Sequence, residues 1–198
     1  MSIKHSLLAL LHEGPMYGAQ LRGEFEARTG GTWPLNVGQV YTTLSRLERD
    51  GLVAGAGAPD DEGRIAYELT DAGRAELDAW WSVPVGREQT PRNELAIKLA
   101  LAVTLPGVDV QQIVQTQRTA TMTHLRDLTR LKRTADGEDL AWELVLESLV
   151  FADEAEIRWL DHVEARIARL DPSQAKASRT AHVASAGSAG VREAVTRR

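Results

Sequence analysis

Cysteine is missing from all 198 residues. Disulfides, thiol nucleophiles and thiolate metal sites are excluded with it. Long apolar runs are missing too: nothing approaches the roughly 18 uninterrupted residues of a membrane span. The apolar stretch Met1 to Leu11 is short. It carries Lys4 and His5 and no small-residue cleavage site follows it, so it does not read as a secretion signal. A cytoplasmic, soluble chain is the expectation. An excess of positive charge is also lacking, since the net charge is −5. Phosphate neutralisation supplies much of the affinity for nucleic acid, so the overall charge does not favour such a partner, and any case for one must come from pattern. Aromatic residues are few, at 5%, against 43% hydrophobic and 26% charged residues. That composition supports a buried core in one medium domain or two small ones.

Helical spacing appears at once in Ile3, Leu7, Leu8 and Leu11, and Gly14-Pro15 breaks it. A second helix is expected from about Tyr17-Gly18, with Leu21 and Phe25 one turn apart, ending before Gly30-Gly31. Trp33-Pro34-Leu35 reads as an extended link, because a residue before proline is biased away from helix. Asn36 is a good N-cap. The helix it opens carries Val40, Leu44 and Leu47 on one face, and Gly51 follows as its C′ residue. Leu52 and Val53 start a strand. A Gly-, Ala- and Asp-rich connection runs from Ala54 to Gly63, and Ile65, Tyr67 and Leu69 alternate as the returning strand. Thr70 caps a further helix to about Ser82, with Leu77 and Trp80 or Trp81 on its apolar side. Three short helices followed by a β-hairpin form a winged helix-turn-helix, with the second and third helices as the reading motif and the hairpin as the wing.

Beyond Pro84 the pattern is helical. Arg87 to Arg92 is polar. Glu94 to Leu105 is an apolar helix closed by Pro106-Gly107. Asp109 caps a helix displaying Ile113, Leu125, Leu128 and Leu131. After an interruption at Thr134 to Gly137, a last helix carries Leu140, Leu144, Phe151, Trp159, Val163, Ile167 and Leu170. Two long helices with a short turn form an antiparallel hairpin. Its apolar positions are too many for a lone hairpin to bury, which predicts packing against a partner subunit. From Asp171 the chain is rich in Ala, Ser, Gly and Arg, and a disordered, mildly basic tail is expected. The organisation is therefore mainly α: a winged helix domain with a two-stranded β wing over 1–83, a helical dimerisation domain over 84–171, and the tail over 172–198.

Several of these segments together resemble a known family. They are Leu7-Leu8-Ala9-Leu10-Leu11, Gly14-Pro15-Met16-Tyr17-Gly18, Val40-Tyr41 with Leu44, Arg46-Leu47-Glu48, Gly51-Leu52-Val53, Gly63-Arg64, and Tyr67-Glu68-Leu69-Thr70 with Gly73. In this order and spacing they resemble the PadR family of bacterial regulators over about the first 80 residues; any one segment alone is a weak signal. The helical remainder looks like the dimerisation part of that family. The resemblance implies a homodimeric, sequence-specific DNA-binding regulator, usually a repressor, on an inverted-repeat operator. It also implies that some members are released by small aromatic ligands near the dimer interface. One departure stands out. The family wing usually carries Lys or Arg just before the matched tyrosine, whereas Ile65-Ala66 separate Arg64 from Tyr67. Asp60-Asp61-Glu62 at the wing tip would repel phosphates. Either the tip stays away from the duplex or Arg64 alone reaches the minor groove.

The polar positions opposite the Val40 stripe are Asn36, Gln39, Thr42, Thr43 and Arg46. Gln39, Thr42 and Thr43 are assigned to base readout, and Tyr41 and Arg46 to phosphate positioning. Arg64 is assigned to a phosphate or minor-groove contact. The alternatives are a cap only for Asn36 and an ordinary surface residue for Thr43. Tyr17 either bonds a phosphate or packs under the Gly14-Pro15 turn. Trp80, Trp142 and Trp159 are candidates for an aromatic effector pocket, with core or interface anchors as the alternative. His124 and His162 lack ligand-spaced partners, so no metal is expected. The Glu143/Glu147 pair reads as a solvated face. No nucleophile motif or phosphate loop is present, and neither catalytic residues nor a cofactor are expected. The competing class is a winged helix interaction module that binds another protein with little or no DNA binding.

Overall fold

The computed structural model describes residues 3–60, 63–86, 93–134 and 139–169. The tail from 171, Leu170, the carboxylates Asp61 and Glu62, and the Arg87 to Arg92 link lie outside the described residues. The elements are α1 (Ile3–Leu11), α2 (Gly18–Arg28), α3 (Val37–Arg49), β1 (Val53–Ala56), β2 (Ala66–Leu69), α4 (Asp71–Ser82), α5 (Glu94–Ala102), α6 (Val110–Thr134) and α7 (Leu140–Ala168). The chain divides into two compact units, Met1–Gln89 with Gly137–Val145, and Thr90–Asp136 with Leu146–Arg198.

In the first unit the order is helix, helix, helix, strand, strand, helix, the winged helix arrangement. α1 lies at its centre, burying Leu7, Leu8, Leu10 and Leu11. Around it gather Leu21 and Phe25 of α2, Val40, Leu44 and Leu47 of α3, Val53, Leu69 and Leu77. β1 and β2 pair antiparallel, with Val53 opposite Leu69 and Ala56 opposite Ala66. The returning strand begins one residue later than the alternation suggests, and β1 runs on to Ala56 where a connection from Ala54 is expected. Ile65 precedes the strand, is exposed, and covers Gly55 rather than joining the core. Ladder pairing stops at Ala66, so nothing holds Ile65 to the inward alternation.

α3 stops as its sequence dictates. Gly51 takes φ +72°, the left-handed conformation that costs glycine little. It allows the Leu52 N–H to reach back to the Leu47 carbonyl at 2.9 Å. Thr70 then ties the wing to this end of α3. Its hydroxyl lies 2.7 Å from the Gly51 carbonyl and accepts the Gly73 N–H at 3.1 Å as the N-cap of α4. Gly73 is buried so tightly that a Cβ there would lie 2.0 Å from the Leu52 carbonyl oxygen. On the outer side of α1, Lys4 Nζ and His5 Nε2 meet Glu76 of α4 at 2.6 and 3.0 Å. These bonds, Lys4 first and His5 second, hold the Glu76 carboxyl below its ordinary value. The first turn of α7 also belongs to this unit.

In the second unit, α5 ends at Ala102 and not at Leu105. The Thr104 hydroxyl donates to the Leu101 carbonyl at 2.8 Å, competing with the helical ladder. Pro106 also disfavours helix at the residue before it. Leu99, Val114 and Leu160 form a small core, with Leu95, Ile113, Trp159, Val163 and Ile167 around it. α6 and α7 run antiparallel, and polar pairs lace the seam beside Val114 and Leu160. Gln115 donates to Glu164 at 2.7 Å, Gln117 to Glu156 at 2.9 Å, and Lys132 to Glu147 at 2.5 Å. Arg118 spans Asp161 and Glu164, and His124 meets Asp153 at 2.7 Å. Glu147 therefore serves the seam and is not simply a solvated face. Leu131, Leu140, Leu144 and Phe151, which the spacing marks as apolar-face positions, are exposed in the single chain.

Two glycine-to-alanine changes are expected to act with opposite sign. Gly73→Ala forces the α4 backbone off Leu52 and should cost about 1–3 kcal/mol despite better helix propensity. Gly23→Ala, in mid-α2 with open space around it, should stabilise by about 0.5–1 kcal/mol. Thermal or urea denaturation of the two variants checks both. A third expectation concerns acid. Glu76 has a lowered folded-state value, so its stabilisation is present above about pH 4.5 and lost as pH falls through the lower folded value. The stability curves of wild type and Glu76→Gln should therefore separate above that pH and converge below it.

Candidate nucleic-acid interface

The site is built around the N-terminal half of α3. The turn leading into it is tightly held. Gly30 and Gly31 adopt φ +56° and +68°, and the Gly31 N–H closes on the Glu26 carbonyl at 2.8 Å. Glu26 is itself fixed by Arg22 at 2.9 Å, and its Oε1 accepts the Leu35 N–H at 3.3 Å. The Leu35 side chain is buried in the core. Gly30 has a second constraint: a Cβ there would lie 2.3 Å from the Trp142 ring. The start of α7 thus seats its indole directly on the turn between α2 and α3.

Asn36 then caps α3. Its Oδ1 accepts the Gly38 N–H at 2.8 Å, and Gln39 Oε1 returns the favour to the Asn36 N–H at 3.3 Å, the reciprocal arrangement of a capping box. The Thr43 hydroxyl donates to the Gln39 carbonyl at 2.7 Å. Asn36, Gly38, Gln39, Thr42, Thr43 and Arg46 line one open concavity of about 510 Å³, with Ile3 of α1 at its side. The structure thus brings together the five residues placed on the polar face, and adds Gly38 and Ile3. Gly38 leaves the first turn without a side chain, and Ile3 reaches the groove only through the packing of α1.

Internal bonding determines what this surface can offer. The amide oxygens of Asn36 and Gln39 both face backbone N–H groups, which turns their NH₂ groups toward solvent. With the Thr43 proton committed, that residue presents its methyl group and lone pairs. Thr42 keeps its hydroxyl and Arg46 its guanidinium. The surface is therefore rich in donors.

Tyr41 leaves this groove. Its ring lies against the start of α2, where a Cβ on Gly18 would come within 2.9 Å of it. Tyr17 caps α2 through its backbone N–H, which donates to Gln20 Oε1 at 2.8 Å. Its ring lies beneath the Arg64 guanidinium, 5.5 Å from centroid to Cζ, so its packing partner is the wing arginine. Met16 bridges to Tyr67 with bonds of 3.0 and 2.9 Å. Burial first, then Glu48 and Tyr41 nearby, raise the Tyr67 phenol above its ordinary value. All three tyrosines of the chain thus gather where α2 begins and the wing is rooted.

Most cations of the first unit are already paired. Arg28 forks onto Glu13 at 2.8 and 2.6 Å, Arg22 meets Glu26, Arg49 meets Asp50 at 2.8 Å, and Arg64 meets Asp60 at 2.8 Å. Arg46 and Arg74 have no carboxylate in salt-bridge range among the described residues, and Arg46 lines the groove. The tryptophans have separate surroundings. Trp80 stacks on His5 at 5.3 Å and tilts against Trp81, Trp142 covers Gly30, and Trp159 flanks the core of the second unit. No group of three or more His, Asp or Glu suited to a metal ion occurs among the described residues, and no helix there is long and apolar enough to cross a membrane.

Comparison with known proteins agrees with this architecture. Residues 7–79 match the transcriptional regulator PadR-like family, and residues 91–168 match the virulence activator alpha C-terminal region. The probable transcriptional regulator Rv1176c of Mycobacterium tuberculosis is 28% identical over 184 residues, covering 82% of this chain and 96% of its own. The negative transcriptional regulator PadR of Bacillus subtilis is 23% identical over 176 residues, covering 83% and 97%. Crystal structures of that protein resemble this fold. Its complex with operator DNA has a TM-score of 0.63 at 21% identity, over 84% of this chain and 98% of that one. Its complex with p-coumaric acid has a TM-score of 0.65 at 22% identity, over 85% and 100%. Residues 7–79 are thus a domain of the PadR-like family of transcriptional regulators.

Proposed function

We propose that this regulator is a cytoplasmic homodimer that binds an inverted-repeat operator and acts as a repressor, with α3 lying in the major groove. The observation that carries the reading is the donor-rich concavity along α3. Gln39, Thr42 and Thr43 face base edges, and the Asn36 amide stands beside them at the helix start. Arg46 and Tyr41 meet phosphates on either side, and Arg64 is the cation of the wing. Solvent-facing amides, a hydroxyl and a guanidinium suit acceptors, which the major groove offers as guanine O6 and N7, adenine N7 and thymine O4. The relative in Bacillus subtilis binds operator DNA under the same fold. The reading involves no catalytic step.

Dimerisation follows from the apolar surface of the second unit. Ile97, Leu101, Met122, Leu131 and Phe151 are exposed there, and a second copy of the chain is the partner proposed to cover them. With few unpaired cations among the described residues of the first unit, the two half-sites act together. A small aromatic effector belongs to the proposal as well, because the same relative binds p-coumaric acid. Trp159, beside the core of the second unit, is its candidate contact, while Trp80 and Trp142 have the packing roles described above.

The test is a gel shift on the promoter region of the chain's own gene. A salt-sensitive shift that resists nonspecific competitor is expected, and no shift at any salt would overturn the reading. Arg46→Ala should weaken binding about equally across sequences and lower the salt slope by about one per subunit. Gln39→Ala should instead relax discrimination at one base pair, by about 1–3 kcal/mol. Phe151→Glu should shift the sedimentation equilibrium toward monomer and remove operator binding with it.

A further inference from the structure

Arg64 is the only Lys or Arg between Leu52 and Thr70, so the wing has a single cation to offer a phosphate. The structure shows that cation engaged. Arg64 Nε donates to Asp60 Oδ2 at 2.8 Å, and the Arg64 backbone N–H donates to Asp60 Oδ1 at 2.8 Å. The main chain closes the same loop: the Asp60 N–H donates to the Arg64 carbonyl at 3.0 Å, and the Gly63 N–H to the Asp60 carbonyl at 2.9 Å. On its other side the guanidinium rests on the Tyr17 ring. The Asp60 side chain is 22% exposed and that of Arg64 50%, so the carboxylate is the more sheltered partner and the arginine the accessible one.

We propose that Asp60 limits the affinity of this regulator for DNA, by holding Arg64 in an ion pair within the wing and withholding that cation from the phosphate backbone. The inference rests on the DNA-binding reading above. Affinity for a polyanion scales with the number of phosphates neutralised, and a guanidinium already compensated at 2.8 Å neutralises little more. A phosphate approaching Arg64 also meets Asp60 itself, a like charge. Four hydrogen bonds within the Asp60–Arg64 loop keep the pair assembled before DNA arrives. A surface ion pair is nevertheless weak, so the restraint sets the strength of binding without abolishing it.

Asp60→Asn is the informative variant, because an amide oxygen can still accept the Arg64 backbone N–H while the charge is removed. Binding is measured by fluorescence anisotropy as a function of salt, on a short mixed-sequence duplex and on the own-promoter fragment. Asp60→Asn should bind both at least about threefold more tightly at low salt, with a salt slope steeper by about one per subunit. Arg64→Ala in the wild-type background should weaken binding by less than the same change does in the Asp60→Asn background. The same change in the Asp60→Asn background should cancel the gain, which separates release of Arg64 from a mere change in net charge. The proposal is overturned if Asp60→Asn binds no more tightly, if its slope is unchanged, or if the gain survives Arg64→Ala. It is equally overturned if Arg64→Ala alone lowers the slope by a full unit, since Arg64 would then already contact DNA. That single variant decides the matter should Asp60→Asn melt well below wild type. Wild-type protein that binds neither duplex would instead remove the DNA-binding reading itself.

Discussion

The burial of one stripe on α3 is the constraint on which the rest of the molecule depends. Val40, Leu44 and Leu47 are essentially inaccessible, and each such burial is worth about 1.5–3 kcal/mol. Surface ion pairs contribute about 0–1 kcal/mol. The apolar stripe therefore decides how α3 lies, and the ion pairs adjust detail. Once that stripe faces α1, the positions 36, 39, 42, 43 and 46 face outward. Leu35 and the Glu26 clamp then set where α3 begins, and Gly51 with Thr70 sets where it ends.

Positive charge in the first unit is largely compensated among the described residues. The chain is acidic overall, and the arginines near the reading surface are mostly bound to carboxylates. Arg28, Arg22, Arg49 and Arg64 each have a partner. Arg46 stands apart on the groove itself. On the polar face of α3, Asn36 Oδ1 accepts the Gly38 N–H and Gln39 Oε1 the Asn36 N–H, which turns their donors outward.

In the second unit the usual division of labour between helix faces is altered. The α6–α7 seam is laced by Gln115, Gln117, Arg118, Thr121, His124 and Lys132 to carboxylates on α7. Large apolar residues such as Leu131 and Phe151 remain on the outside. Polar contacts of this kind, half-buried or exposed, add little to stability. The apolar area they leave uncovered is what a second chain is proposed to bury.

The sequence by itself determined the local elements and the outward face of α3. Helix caps, breakers and spacing act over a few residues, so Asn36, Gly51, Thr70 and Asp109 could be recognised without any fold. The polar face of α3 was legible for the same reason, as the complement of its apolar stripe. Contacts between residues distant in the chain were decided only by the tertiary structure. Ile65 alternates like a core residue, yet the ladder ends at Ala66 and leaves it over Gly55. The positions from Leu131 to Phe151 carry an apolar pattern that says which face is apolar and not what covers it. Nothing in the spacing of Trp142 points to Gly30, more than a hundred residues earlier in the chain. Arg64 read as the one base of the wing; the fold pairs it with Asp60, which takes both its backbone N–H and its guanidinium.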